Sequence, residues 1–153
     1  MPQPVLLTGK EHGRLPLKDF EPASGDFWLL SDPAKKLLEA TDPDAFVFCP
    51  VEIRTTGTER DSGPRWFCDV TRFLDAIDEE RSTLRVTDYG RGRRLVQIED
   101  AKRTHFRRSS IGSAHVFRSV NNPECYCSSH FRDTVRSSGL NGLGFWSAGV
   151  LDA

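Results

Sequence analysis

Two stretches of this chain carry the same pattern, and it constrains the fold more than any other feature. Laid at an offset of 97, Trp28-Leu29-Leu30-Ser31-Asp32 sits over Cys125-Tyr126-Cys127-Ser128-Ser129. Lys35 then lies over Arg132, Leu38 over Val135 and Phe48 over Phe145. Each block opens with an apolar run of strand length and continues into a Ser that can accept an N–H from a first helical turn. In the first block Pro33 falls in that turn, where its missing N–H costs nothing. The pattern predicts a strand at 27–30 and a helix over 33–40 with Leu37 and Leu38 facing a core. A stop at Asp42-Pro43-Asp44 and a β-rich run over 46–53 follow. The second block predicts a capped helix, a turn at 138–142 where Gly139 suits a left-handed cap, and a closing strand near Phe145. Strand–helix–strand units this tight place neighbouring strands on one sheet, with the helices over a face.

Between the blocks the signals are shorter. Residues 55–64 read as a hairpin connection or exposed loop, and 66–70 as a strand. Over 71–81 the period changes: Val70, Phe73, Leu74 and Ile77 fall on one helical face, which predicts an amphipathic helix. Leu84-Arg85-Val86 and Arg94-Leu95-Val96-Gln97-Ile98 read as strands around a turn at Tyr89-Gly90-Arg91-Gly92. Short strands are expected near His105-Phe106 and over 114–117. Pro2, Pro4, Pro16 and Pro22 make residues 1–25 an irregular arm or an edge strand. The expected fold is therefore α+β: a mixed, largely antiparallel sheet covered by two or three short helices. A single domain over 26–153 follows the arm, a normal size for a chain of 153 residues.

Several function classes recede on composition and motif. No apolar run is long enough to span a bilayer, and Met1-Pro2-Gln3-Pro4-Val5-Leu6-Leu7 lacks the basic start of a secretory signal. The expected location is cytoplasmic. Cys49, Cys68, Cys125 and Cys127 are too few for a disulfide scaffold, and Cys125-x-Cys127 lacks knuckle spacing, so they read as small buried thiols rather than zinc ligands with His105, His115 or His130. There is no nucleophile elbow and no phosphate loop. Asp75 and Asp78, three apart on the expected helix, are neighbouring carboxylates, and a solvated face or arginine anchor is the ordinary meaning of such a pair. No catalytic residue, metal or cofactor is assigned. Charge is unevenly placed: residues 1–80 hold 9 Lys/Arg against 16 Asp/Glu, and residues 81–118 hold 10 against 3. Arg91, Arg93, Arg94, Lys102, Arg103, Arg107 and Arg108 make that stretch either a basic face for nucleic acid or one paired within the protein.

Four segments together carry a family resemblance. They are Trp28-Leu29-Leu30-Ser31-Asp32 with Leu37-Leu38 and Phe46-x-Phe48-x-Pro50-Val51; Phe73-Leu74-Asp75-Ala76-Ile77-Asp78-Glu79-Glu80-Arg81-Ser82; His105-Phe106-Arg107; and Leu140-x-Gly142-x-x-Phe145. In order and spacing they resemble a bacterial immunity-protein family found beside polymorphic toxins. The chain departs from that pattern in Cys125 and Cys127 around Tyr126 and in its arginine-rich loop at 91–94. The resemblance implies a cytoplasmic protein that binds and neutralises a cognate toxin, an effector of a secretion system such as type VI, without catalysis. Arg91, Arg93, Arg94, Arg107 and Arg108 are then the candidate partner-binding residues; Trp66 and Trp146 are alternative anchors, but both fit a buried core better. An arginine-rich nucleic-acid-binding module is the alternative.

Overall fold

The computed structural model describes residues 5–8, 17–23, 26–55 and 64–152, with backbone alone at 5–8 and 54–55. The chain divides into two compact units, Met1–Val70 with Asp133–Gly144, and Thr71–Arg132 with Phe145–Ala153. The architecture is α+β, with mostly antiparallel strands that form four sheets among the described residues. No helix among the described residues is long and apolar enough to cross a membrane.

The first unit contains strands β1 (Val5–Thr8), β2 (Phe20–Pro22) and β3 (Trp28–Ser31), helix α1 (Asp32–Thr41), and strands β4 (Phe46–Thr55) and β5 (Arg65–Val70). These strands form one sheet in the order β1-β4-β5-β3-β2, so the segment before residue 26 supplies both edges. The sequence led us to expect β3 and β4 side by side; instead β5 lies between them and is antiparallel to both. The crossover through α1 carries the chain past one strand position, and the return of β4 into β5 fills it. The connection at 56–63 lies outside the described residues. Register puts Trp28, Leu30, Phe48, Trp66 and Cys68 on one face of the sheet.

Helix α1 covers that face. Ser31 caps it, its hydroxyl accepting from the Ala34 N–H at 3.3 Å and donating to Asp19 at 2.7 Å. Ala34 and Leu38 are fully buried. Trp66 Nε1 donates to the Asp32 carboxylate at 3.3 Å, and the Lys35 ammonium sits 4.5 Å from the Trp66 ring centre. Trp66 is accordingly half-buried beneath the helix rather than deep in a core. The Lys36 hydrogen bond, chiefly, holds the Asp32 carboxyl below its ordinary value. The β2 edge is sealed by Asn141, which accepts from Phe20 N at 3.0 Å and exchanges hydrogen bonds with Asp19 at 3.0 and 3.1 Å.

The second unit holds β6 (Phe73–Leu74), β7 (Leu84–Asp88), β8 (Arg94–Ile98), β9 (His105–Phe106), helix α2 (Arg108–Ile111), β10 (Val116–Ser119) and β11 (Cys125–Cys127). Helix α3 (Ser129–Ser138) begins in it, and β12 (Val150–Leu151) completes it. Its core is Ala76, Ile77, Phe106, Phe117 and Tyr126. The Tyr126 ring lies 5.1 Å from Phe106 and 5.7 Å from Phe117, so three aromatics share one buried cluster. Such pairs add about 0.5–1.5 kcal/mol beyond area burial.

The helix expected over 71–81 does not form. A helix would need the carbonyls of Arg72, Leu74 and Ala76 for its own ladder, but these accept from Arg118, Val120 and Arg107 at 2.8, 3.1 and 2.7 Å. The segment is thereby held extended, with β6 parallel to β10. Ala76 and Ile77 are buried while Phe73 is 60% exposed, so the helical spacing of apolar residues was coincidental.

The second block folds as expected through its helix. Ser128 caps α3, accepting from Phe131 N at 3.1 Å, and Phe131 and Val135 are buried. Gly139 adopts the left-handed conformation at φ +75°. The closing strand near Phe145 is absent: the backbone from 143 to 149 is irregular, and pairing resumes only at β12, parallel to β9. Glycines at 142, 144 and 149 deprive this stretch of strand-forming side chains. Trp146, expected in the core, is 88% exposed. The thiols also differ from expectation, since only Cys68 is buried and Cys49, Cys125 and Cys127 are exposed.

Candidate functional site: an arginine-bearing hairpin

Strands β7 and β8 pair antiparallel in register from Leu84↔Ile98 to Asp88↔Arg94, forming a separate two-stranded ribbon. Its base is tied down by β8: Val96, 2% exposed, donates to the Asn121 carbonyl at 2.7 Å, and Asn122 Nδ2 donates back to the Val96 carbonyl at 2.8 Å. The tip is set by three consecutive residues of positive φ, Gly90, Arg91 and Gly92, at +74°, +54° and +75°. Glycine adopts this region without steric cost, whereas Arg91 is held there by its surroundings. Those surroundings are backbone bonds from Tyr89 N to Arg93 O at 2.9 Å and from Arg93 N to Gly90 O at 3.1 Å. The Asp88 carboxylate adds a bond by accepting from Gly90 N at 2.7 Å.

The five candidate arginines divide into two kinds. Arg94 donates to the Glu79 carboxylate at 2.6 Å, and that bond, the largest influence on it, raises the guanidinium above its ordinary value. Arg107 pairs with Asp75 at 3.1 Å and also donates to the Asp75 carbonyl at 2.9 Å. Arg108 Nε donates to the Asp152 carbonyl at 3.2 Å. These three therefore tie the segment at 75–79 and the last strand to their neighbours. Arg91 and Arg93, by contrast, are exposed, and their side chains make no hydrogen bond or ion pair among the described residues. Tyr89 stands beside them, 61% exposed.

The remaining polar clusters are internal ties. Asp152 receives Arg81 at 2.7 Å and His105 Nδ1 at 3.1 Å, which fastens β12 beside β9. His115 Nδ1 meets Ser128 Oγ at 2.9 Å, and its ring lies 4.8 Å from that of His130. Among the described residues no group of three or more His, Cys, Asp or Glu side chains is placed to hold a metal ion. Asp75 and Asp78 are on extended backbone, with Asp75 engaged by Arg107 and Asp78 accepting from Arg81 N at 3.3 Å, so they do not form the helical pair expected of them.

A second exposed feature centres on Trp146, an alternative anchor that the sequence favoured as a core residue. Trp146, Val150 and Leu151 are 88, 47 and 45% exposed within six residues of one another. The only available signal was negative, in that Gly144, Ser147 and Gly149 around Trp146 break any strand or helix pattern that would have buried it.

No curated protein matches this sequence. The model of the Immunity protein family (Imm11), however, matches residues 1–150, nearly the whole chain. It takes in both strand–cap–helix blocks and the β7–β8 hairpin. Immunity proteins of this kind are non-catalytic inhibitors. The chain belongs to the Imm11 immunity protein family.

Proposed function

We propose that this protein protects the bacterial cytoplasm by binding a cognate toxin, an effector of a secretion system such as type VI, and occluding it without turnover. The observation that carries this reading is the family match across residues 1–150. The arginine-bearing region supports it physically. Arg91, Arg93, Arg94, Arg107 and Arg108 lie in the stretch where positive charge is concentrated, and complementary charge speeds the capture of a partner before damage accumulates. Within that set Arg91 and Arg93 make the direct contacts, while Arg94, Arg107 and Arg108 hold the surface in shape.

The test is protection. The toxin encoded beside this chain is expressed under tight control in a susceptible strain, with and without the chain. Restored growth, together with a one-to-one complex on size-exclusion chromatography, is expected. Unrelieved killing by a toxin that the chain fails to bind removes the reading.

A further inference from the structure

We infer that residues 89–93 form a preformed prong that enters a carboxylate-lined cleft on the partner protein. The inference deepens the antidote reading and rests on it. Shape comes first. A Cβ added at Gly90 or Gly92 would meet nothing within 4 Å among the described residues, so the backbone on both sides of Arg91 is open to its surroundings. It is narrow, because two of its five residues have no side chain. Three positive-φ residues closed by the Tyr89–Arg93 and Gly90–Asp88 hydrogen bonds fix its course before any partner arrives. A rigid, narrow projection suits a concave partner, since little conformational freedom is lost when it enters.

Charge then selects the lining of the cleft. Along the hairpin the other arginines are neutralised: Arg85 pairs with Glu99 at 3.1 Å and Arg94 with Glu79 at 2.6 Å. Asp88, the acid nearest the tip, is engaged by Gly90 N. Asp88 keeps its charge but pairs with neither tip arginine, so among the described residues the hairpin's guanidiniums without an ion pair are Arg91 and Arg93. A nucleic-acid backbone is gripped by a track of cations over many phosphates, whereas two guanidiniums on one point match a compact cluster of carboxylates, which each can engage through paired N–H donors. Tyr89 adds an aromatic of the kind that anchors protein interfaces.

The experiment uses the full chain and the toxin encoded beside it, purified from their co-expressed complex and separated in urea. Association is followed by biolayer interferometry at low and moderate salt, alongside a 20-nucleotide RNA as a second probe. R91E/R93E should bind the toxin about 100-fold more weakly, mostly through a slower association that no longer responds to salt. Arg91→Gly, which removes the guanidinium and relaxes the backbone, should weaken binding about 10-fold. R85Q, on the same hairpin, should stay within about 2-fold of the wild type, since paired surface charges contribute little. Melting curves for each variant confirm that the fold survives. If the wild type binds and protects while R91E/R93E does so equally well, the prong is refuted and the antidote reading stands. If the wild type neither binds nor protects, both fall. RNA binding that depends on Arg91 and Arg93, in place of toxin binding, overturns the acidic-protein partner.

Discussion

Replacing the two capping serines tests whether the repeated strand–cap–helix block is the organising device of this fold. In Ser31→Ala the Ala34 N–H loses its acceptor and Asp19 loses a 2.7 Å donor. Loss of a cap costs about 1 kcal/mol. The bond to a carboxylate adds about 1 kcal/mol more, a reduced figure because Asn141 N remains on Asp19 at 3.1 Å. Ser128→Ala removes the acceptor of Phe131 N and the His115 contact at 2.9 Å, again about 2 kcal/mol in all. Each change should lower the melting temperature by roughly 4–8 °C at this chain length. Because the two serines share no partner, the double variant should lose about 4 kcal/mol. Ser31→Thr and Ser128→Thr keep the hydroxyl and should recover most of it. Urea unfolding gives the free energies, and amide exchange at Ala34 and Phe131 reports each first turn. If either alanine variant lies within about 0.5 kcal/mol of wild type, with exchange at its capped amide unchanged, the reasoning is wrong.

Three further outcomes follow from the packing. Burial, above all, pushes the Tyr126 phenol well above its ordinary value of 10.0, so its contribution to stability is complete below pH 10 and is lost as the pH rises past it. Tyr126→Phe should therefore cost less than about 1 kcal/mol at pH 7, given a 3.5 Å bond to Glu124, and should flatten the alkaline fall in a pH series of melts. Burial likewise pushes the Cys127 thiol from 9.0 up to about 11, although part of the residue reaches solvent. It therefore carries less thiolate at pH 8 than an ordinary thiol, partly offset by the greater nucleophilicity of a more basic thiolate, so peptide mapping after iodoacetamide should show Cys127 modified about 10-fold more slowly than a free cysteine. Gly142→Ala should destabilise by about 2 kcal/mol or more, because its φ is +103° and the new Cβ would lie 2.0 Å from the Phe20 carbonyl oxygen. A denaturation midpoint unchanged from wild type would contradict that geometry.

The parts of the fold legible in the sequence are those decided locally. Ser31 and Ser128 announce their helices because a cap is a matter of three residues and one hydroxyl. The hairpin was legible too, since Tyr89-Gly90-Arg91-Gly92 between two alternating runs leaves the chain little choice. What failed depended on distant partners. Residues 71–81 carry a helical spacing, yet Arg118, Val120 and Arg107 claim the carbonyls that a helix would use. The place of β5 between β3 and β4 follows from which strand reached the open edge, and nothing near Trp66 encodes it. In the candidate site, the positive stretch was visible as composition. That Arg94 and Arg107 are bound to Glu79 and Asp75, and Arg108 to the Asp152 carbonyl, while Arg91 and Arg93 are not, depends on partners 15 to 44 residues away, which no count of charges reveals. Trp146 was misjudged because large aromatics are usually buried, and glycines beside one are a weak counter-signal.

The seal on the β2 edge has a consequence for how the protein is made. Phe20 N–H and the Asp19 carboxylate are completed by Asn141, 122 residues further along from Asp19, and Asp133–Gly144 belongs to the same compact unit as the N-terminal sheet. At ribosomal rates of about 5–20 residues per second, the early strands wait roughly 6–24 s for the segment that closes them. During that interval β2 is an open edge of the kind that invites pairing with other chains. Contacts of such long sequence separation also slow the final step of folding. A chain built this way has no finished β2 edge until Asn141 has been made, so the protection of its first strands depends on residues near its other end.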